Sequence, residues 1–187
     1  MADIGRGVEV SAGRKRPLHR WDVTPQEAAS LQQELRGQLR LQADLGKVKR
    51  VAGVDVSFRE GLARAAVVTL AFPSLEPVDR ARVQLPVTFP YIPGYLTFRE
   101  GPAVLAAFER LTLWPDLVVF DGQGIAHPRR LGLAAHLGLF LDLPSIGCAK
   151  SRLLGTHEPP GPDRGDWVPL YDCLLYTSDA ADEEDSV

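Results

Sequence analysis

Residues 51–58 read VAGVDVSF, a β-rich run with one acidic side chain near its centre. β-Branched residues favour strands, and successive side chains of a strand point to opposite faces. Asp55 therefore shares a face with Gly53 and Ser57, opposite to its two valine neighbours. Because a lone acid is a poor choice for burial, this run predicts a strand with one buried face and one face that carries a carboxylate.

The segments around this run predict an α/β fold. Thr24, Pro25 and Glu27 are typical of a helix start, and apolar residues with helical spacing continue to about Leu45. Further along the chain we predict strands over 63–72, 78–87, 117–120 and 145–149, and helices over 99–113 and 128–141. Three consecutive strands followed by alternating helices and strands indicate an α/β protein with a mixed sheet.

Composition fits one globular domain and excludes several classes of protein. The 187-residue chain is 45% apolar and 24% charged, and it contains no apolar run near the ~20 residues that span a bilayer. We find no signal peptide, and two cysteines predict neither a disulfide framework nor a zinc site, so we expect a cytoplasmic protein. The net charge is −3, but residues 173–187 hold five acids and no base, and without them the charge becomes +2. A nucleic-acid partner therefore remains open, since phosphate binding depends on local basic clusters.

Two further acids join Asp55 as candidate ligands. Glu100 lies near a predicted helix start, and Asp121 ends the strand over 117–120, before two glycines. Each acid also has an ordinary explanation: a surface carboxylate, a charge that favours a helix start, or a turn cap. Carboxylates at the carboxyl ends of strands are nonetheless typical Mg²⁺ ligands, and such an ion could activate water for phosphodiester cleavage. The spacing predicts a candidate Mg²⁺ site without establishing that the three acids converge.

Four longer strings resemble the endonuclease V family in the expected order. They are VAGVDVSF (51–58), FPYIPGYLTFREGP (89–102), WPDLVVFDGQGIAHPRRLGLAAHLGL (114–139) and PSIGCAKSRLLG (144–155). The resemblance covers roughly residues 25–170. It implies a ribonuclease-H-like fold, with a mixed central sheet flanked by helices, and a Mg²⁺ cofactor for which Mn²⁺ could substitute.

The same resemblance implies an activity in DNA repair. Members of the family hydrolyse the second phosphodiester bond on the 3′ side of a deaminated purine such as hypoxanthine, leaving a 3′-hydroxyl and a 5′-phosphate. The expected partner is inosine-containing DNA, with inosine-containing RNA left open. We expect no membrane partner and a monomeric protein.

The catalytic residues implied by the resemblance are three carboxylates and a lysine. Asp55, Glu100 and Asp121 match the metal-binding carboxylates, and Lys150 matches the active-site lysine. A cation at that position could orient the attacking water or stabilise charge that develops on the phosphate. Without the motif, Lys150 would be taken for an ordinary surface lysine.

The PYIP segment resembles the family's strand-separating wedge. It comprises Pro90, Tyr91, Ile92 and Pro93. The tyrosine ring would enter the duplex where the lesion leaves the stack, and the two prolines would stiffen the segment before binding. The alternative is a proline turn that buries a tyrosine.

The glycine-rich loop after the fourth strand resembles the family's base pocket. Its residues are Gly122, Gln123, Gly124 and Ile125, and His127 falls on a family position with a supporting role. Backbone amides and carbonyls of such a loop could read the 6-oxo group and protonated N1 of hypoxanthine.

The resemblance ends near Tyr171, which divides the chain into three parts. We predict a loose N-terminal arm over 1–22, a nuclease domain over 23–172 and a tail over 173–187. The tail resembles translated adapter sequence, so we expect it to be non-native and the domain to lack its last elements.

The expected loss of those elements leaves a second function open. The family's late histidine motif is not found after the lysine motif, where the remaining histidine, His157, lies in a loop rich in proline and glycine. An inosine-recognising nucleic-acid-binding module without cleavage activity is therefore the alternative to an active nuclease. An α/β enzyme acting on small molecules is a third option, but neither a dinucleotide fingerprint nor a P-loop is present.

Overall fold

The computed structural model describes residues 17–42 and 45–172, together with the backbone of 175–177. Most of the predicted arm (1–22) and nearly all of the predicted tail (173–187) lie outside the described residues. The domain boundaries after residues 22 and 172 therefore stay predictions. Within the described part of the chain, no helix is long and apolar enough to cross a membrane.

A five-stranded mixed sheet forms the centre of the fold, as the sequence predicts. Its strands are β1 (Arg50–Arg59), β2 (Leu62–Ala71), β3 (Pro77–Pro86), β4 (Leu117–Phe120) and β5 (Ser145–Gly147), in the order β3-β2-β1-β4-β5. The first three strands pair antiparallel, whereas β4 pairs parallel with β1 and β5 pairs parallel with β4. Two three-residue strands, β6 (Leu170–Asp172) and β7 (Leu175–Thr177), pair with each other in a separate sheet.

The turn between β1 and β2 sets the register of the sheet. Glu60 and Gly61 both have positive φ, at 53° and 75°. A two-residue loop of this hand matches the right-handed twist of the strands it joins. It fixes the register in which Asp55 pairs with Ala66 of β2.

The first helix, α1 (Pro25–Leu35), begins where the sequence predicts. The Thr24 hydroxyl accepts a hydrogen bond from the Glu27 amide, and the Glu27 carboxylate accepts one from the Thr24 amide. This reciprocal capping box satisfies two amides that the first turn of a helix leaves without partners.

The predicted continuation of this helix to Leu45 is wrong. A 3₁₀ turn over Arg36–Gln38 follows α1 instead. Gly37 lies in this turn, and a glycine weakens an α-helix by about 1 kcal/mol relative to alanine. Leu41 is largely exposed, so the apolar residues beyond the turn do not form a buried helical face.

The second helix, α2 (Leu96–Phe108), begins and ends earlier than the predicted range of 99–113. The residues that follow its end are bonded by a side chain from β3. The Asp79 carboxylate accepts hydrogen bonds from the amides of Thr112 and Leu113, at 2.7 and 2.8 Å. Those amides therefore have a partner outside the helix, which the sequence pattern does not reveal.

The third helix, α3 (Leu133–Leu141), begins five residues after the predicted start at residue 128. Arg130 adopts a left-handed backbone conformation, with φ at 57°. A residue in that conformation cannot continue a right-handed helix. The segment before α3 is therefore a loop, and it contributes to the candidate active site described below.

The described end of the predicted arm packs against the domain rather than extending from it. The Trp21 ring stacks on Phe140 at a centroid distance of 4.9 Å and covers Gly101, where a Cβ would lie 2.5 Å from the indole. Nearby, the His19 and His136 Nε2 atoms are 2.9 Å apart. Burial lowers the pKa of His136 to about 3, so its ring is neutral and serves packing.

Removing the indole should therefore cost stability. We expect Trp21→Ala to lower the free energy of unfolding by about 2–4 kcal/mol, because removing a large, partly buried ring that packs on the core leaves a cavity. Trp167→Ala is the matched control, since that ring is 54% exposed, and it should change stability by less than about 0.5 kcal/mol. Urea unfolding of both variants measures the difference, and equal midpoints would contradict the packing role.

Candidate active site

The three predicted carboxylates line one small cavity. β1 and β4 pair in parallel with Val54 opposite Phe120, so Asp55 and Asp121 follow that pair at the same edge of the sheet. Glu100 reaches them from α2, and together they line a cavity of about 30 Å³. The structure thus brings together three acids whose convergence the spacing alone did not establish.

Their environments differ, and Glu100 is the most perturbed. It is only 7% exposed, whereas Asp55 is exposed on the sheet face that alternation predicts. Burial, together with the negative charges of Asp121 and Asp55, raises the pKa of Glu100 to about 8. Glu100 therefore holds a proton at neutral pH when no cation offsets its neighbours.

Lys150 lies at the same site, just after β5. Its ammonium group donates a hydrogen bond to the Asp121 carboxylate, and this contact raises the pKa of Lys150. The adjoining residue also connects to the glycine-rich loop, because the Gln123 side-chain amide donates to the Ser151 carbonyl at 2.8 Å. The predicted catalytic lysine is thus beside the carboxylates, and its segment is tied to the predicted base pocket.

The donor chemistry fits a hard divalent cation, although the present arrangement is not a finished coordination shell. Oxygen ligands from closely placed carboxylates are what Mg²⁺ requires. In this conformation Lys150 occupies one oxygen of Asp121, and Glu100 is protonated at neutral pH. Over the described residues, no three His, Cys, Asp or Glu side chains are placed so that they could hold a metal ion. Burial and the negative charges of Asp121 and Asp55 together raise the pKa of Glu100, and a bound cation would offset those charges, so the metal assignment stays a prediction.

The wedge segment forms an exposed loop before α2. Tyr91 is 72% exposed, so the alternative of a proline turn that buries a tyrosine does not hold in this structure. The loop closes in a turn in which the Tyr95 amide donates to the Ile92 carbonyl at 3.1 Å. Pro90 and Pro93, both exposed, lie on either side of the tip.

A larger cavity of about 230 Å³ lies between this loop and the glycine-rich loop. Tyr91, Ile92 and Pro93 line one side, and Gln123 and His127 line the other. The other lining residues were not predicted as site residues; they are Gly94, Leu96, Thr97, Gly132, Leu133, Ser151 and Leu153. Leu133 also lines the carboxylate cavity, so the two cavities share a wall.

Three of the predicted base-pocket residues do not line this cavity. Gly122, Gly124 and Ile125 are buried beneath it. β5 lies directly against their backbone, since a Cβ at Gly147 would clash with the Gly122 carbonyl and the Gly124 amide. These residues support the cavity floor from below, so any contact with a base would come from Gln123 and the backbone near it.

His127 contributes as a neutral hydrogen-bonding ring. Burial and the neighbouring Arg129 charge lower its pKa to about 4. Its Nδ1 accepts from the Arg129 amide at 3.2 Å, so Nε2 carries the proton and donates to the Gly94 carbonyl at 3.0 Å. The ring thus joins the glycine-rich loop to the end of the wedge segment.

The two arginines after His127 are engaged within the protein. Arg129 donates to the Gly94 carbonyl and stacks over the Tyr95 ring at 4.2 Å. Arg130 forms an ion pair with Asp172. Both side chains therefore help to pack the loop that precedes α3.

The chain resembles known proteins of one family in sequence and in fold. A model of that family, described as endonuclease V, matches residues 33–182. An endonuclease V from Roseiflexus sp. (strain RS-1) is 53% identical over 152 residues, which cover 81% of this chain and 68% of the relative. A crystal structure of endonuclease V from Streptomyces avermitilis matches the fold with a TM-score of 0.78 at 43% identity. The match covers 83% of this chain and 70% of the Streptomyces chain.

A further crystal structure shows a related protein with nucleic acid. It contains Ciona intestinalis endonuclease V in complex with a 23-mer DNA containing an inosine. The fold of that protein matches this chain with a TM-score of 0.64 at 34% identity, over 72% of this chain and 61% of the Ciona chain. The chain therefore spans about two thirds of the length of the proteins it matches. The predicted mixed-sheet, ribonuclease-H-like fold is confirmed by these likenesses.

The electrostatics of Glu100 predict an unusual pH dependence of stability. Because its pKa is raised in the folded state, Glu100 contributes stability that is present below about pH 4.5 and is lost as the pH rises through about 8. Glu100→Gln cannot ionise, so in chelator-treated protein it should be more stable than the parent at pH 9, by a few kcal/mol as an order of magnitude, and differ little at pH 4.5.

Thermal and urea unfolding across this pH range measures the effect. Glu109→Gln provides a control, since Glu109 is exposed just after the same helix and should shift stability little at either pH. A difference between Glu100→Gln and the parent that stays constant with pH would contradict the electrostatic account.

Proposed function

The chain belongs to the endonuclease V family, and from that premise we propose that it hydrolyses the second phosphodiester bond 3′ to a deaminated purine. Members of the family are nucleases. The proposed substrate is DNA that contains inosine, and inosine-containing RNA is a second candidate. The crystallised Ciona relative in complex with inosine-containing DNA supports this choice of substrate.

The observation that carries the proposal is the convergence of Asp55, Glu100 and Asp121 on one cavity, with Lys150 beside it. Burial and the like charges of Asp121 and Asp55 raise the pKa of Glu100, so the crowding of the three carboxylates disfavours the ionised form of Glu100. Such perturbed groups are typical of catalytic sites. The shared wall at Leu133 places this chemistry next to a cavity large enough to accept part of a nucleotide.

We assign the three carboxylates to a divalent cation, Mg²⁺ first and Mn²⁺ as a substitute. When bound, such an ion lowers the pKa of water and stabilises charge on the phosphate and its leaving oxygen. Asp55 and Asp121 would hold it from adjacent strands, and Glu100 would lose its proton as the positive charge enters. Lys150, released from Asp121, could then orient the attacking water or the phosphate. Attack at phosphorus breaks the bond to the 3′ oxygen and leaves a 3′-hydroxyl and a 5′-phosphate.

The loop and the larger cavity fit the recognition step. Extruding a base costs a few kcal/mol, and a rigid ring that fills the vacated stack offsets part of that cost. Tyr91 is exposed at the tip of a loop stiffened by prolines, and the cavity lies directly behind it. Gln123 presents a side chain to that cavity, which could bind the edge of an extruded hypoxanthine.

The first test concerns the carboxylates. Asp55→Asn and Asp121→Asn should each lower Mg²⁺-dependent nicking of an inosine-containing duplex by at least about 100-fold, because each removes a ligand charge. Binding to the same duplex should persist. Asp22→Asn serves as a control, since Asp22 is exposed away from both cavities.

Near-parental nicking by either variant would remove that residue from the metal site. A parent that binds inosine strands and never cuts them would instead support the alternative, a recognition module without cleavage. A parent that neither binds nor cuts would reject both functions.

The second test concerns the exposed tyrosine. Tyr91→Ala should weaken binding to an inosine duplex about tenfold, as loss of one base–aromatic stack predicts, and weaken binding to an inosine single strand much less. Tyr91→Phe keeps the ring and should bind like the parent. Equal losses on duplex and single strand, measured by fluorescence anisotropy, would indicate a role other than strand separation.

A further inference from the structure

Three side chains donate hydrogen bonds to a single carbonyl at the end of the wedge segment. The Gly94 oxygen accepts from Arg129 Nη2 at 2.6 Å, His127 Nε2 at 3.0 Å and Gln32 Nε2 at 3.2 Å. A carbonyl has two lone pairs, so three donors saturate it. Gly94 directly follows Pro93, and its position determines where the loop leaves the body of the protein.

Gln32 is the member of this group that no motif identifies. It lies in α1, far from the wedge in sequence, and is 1% exposed. Its amide nitrogen donates to the carbonyls of Gly94 and Leu131, and its oxygen accepts from Arg129 Nε at 2.6 Å. Both the nitrogen and the oxygen of the amide are therefore hydrogen-bonded, which is how a buried amide offsets its desolvation cost.

The burial of this glutamine calls for an explanation beyond helix packing. Ala28 and Leu35 complete the buried side of α1, and an apolar residue would continue that pattern at the position between them. Gln32 instead connects three segments: α1, the end of the wedge and the loop that supplies His127 to the larger cavity. Buried and fully satisfied polar networks hold such segments in one arrangement.

Gly94 is matched to this network. Its φ is +81°, a conformation that side chains rarely adopt, and a Cβ there would lie 3.0 Å from Arg129 Nη2. The same guanidinium stacks over the neighbouring Tyr95 ring at 4.2 Å. A side chain at residue 94 would therefore be strained and would crowd the guanidinium, which Gln32 holds in place through its hydrogen bond to Arg129 Nε.

We propose that Gln32 is a positioning residue that fixes the wedge loop relative to the base cavity, so that the exposed tyrosine is preorganised for opening a duplex. The inference rests on the proposed function and adds to it a residue outside every motif. Because a single strand needs no opening, loss of this anchor should act on duplex substrates. It should also loosen the loop in the free protein, before any substrate binds.

The test compares Gln32→Met with Gln33→Met. Gln33 is exposed on the same helix, so its variant matches the change in residue type and helix propensity without touching the network. For Gln32→Met we expect the Tyr95 amide, which bonds to the Ile92 carbonyl, to exchange with deuterium about tenfold faster than in the parent. Nicking of an inosine duplex should fall about tenfold in kcat/KM, with less than about a threefold change on an inosine single strand.

If the Gln32→Met variant folds poorly, Gln32→Glu provides a second variant for the same measurements. A carboxylate can still accept from Arg129 but cannot donate to the Gly94 and Leu131 carbonyls, so the same duplex-specific loss is expected. Parental amide exchange in both Gln32 variants, equal losses on both substrates, or the same effect from Gln33→Met would each overturn the inference. If the parent cuts no inosine strand, the proposed function fails, whereas the exchange comparison in the free protein still decides whether Gln32 anchors the loop.

Discussion

The parallel pairing of β1 with β4 is the constraint on which the candidate site depends. Neighbouring strands lie about 4.8 Å apart, so the residues that follow the Val54–Phe120 pair, Asp55 and Asp121, emerge side by side. The backbone pairing of the two strands therefore holds the two positions next to each other. Glu100 then enters from α2 as a buried side chain, and its burial together with the charges of Asp121 and Asp55 raises its pKa to about 8. The fold stores an electrostatic penalty that a cation would relieve.

A second constraint links recognition to this chemistry. The cavity behind the exposed tyrosine shares a wall with the carboxylate cavity, at Leu133. Its other wall is held by hydrogen bonds at Gly94: burial keeps the His127 ring uncharged, so the ring donates to the Gly94 carbonyl and accepts from the Arg129 amide, and the Arg129 guanidinium donates to the same carbonyl. The wedge loop is therefore held by hydrogen bonds rather than by exposed ion pairs. Such support persists at high salt, whereas contacts with phosphate weaken.

The strands could be predicted from the sequence because their signal is local. Each of the five central strands lies within two residues of its predicted range, since alternation and β-branched composition are read over a few positions. The helix boundaries that differ from the predicted ones could not be predicted from the sequence, because they depend on contacts and backbone conformations that the sequence pattern does not show. The Asp79 carboxylate bonds the amides beyond α2, and the left-handed Arg130 delays α3, and neither leaves a mark in the periodicity.

The candidate site likewise combines residues that could be identified from the sequence with features that only the structure shows. The resemblance supplied the identities of Asp55, Glu100, Asp121 and Lys150, and the structure brings them together. Whether a loop residue faces a cavity or supports it depends on packing, as with Gly122, which lies beneath the cavity and not in its wall. The role of Gln32 could not be predicted from the sequence. It lies on the buried side of α1, and only its hydrogen-bond partners in the structure show why a polar residue stands there.

If the carboxylate cluster binds a divalent cation through Glu100, binding must displace the proton that Glu100 holds, and counting that proton tests the metal site most directly. Mg²⁺ or Mn²⁺ is titrated calorimetrically into chelator-treated protein, in buffers that differ in ionisation enthalpy. With a pKa of about 8 for Glu100, the account predicts release of nearly one proton per ion at pH 6.5, falling toward zero at pH 9.5. Binding without proton release at pH 6.5, or no binding at either pH, would contradict it.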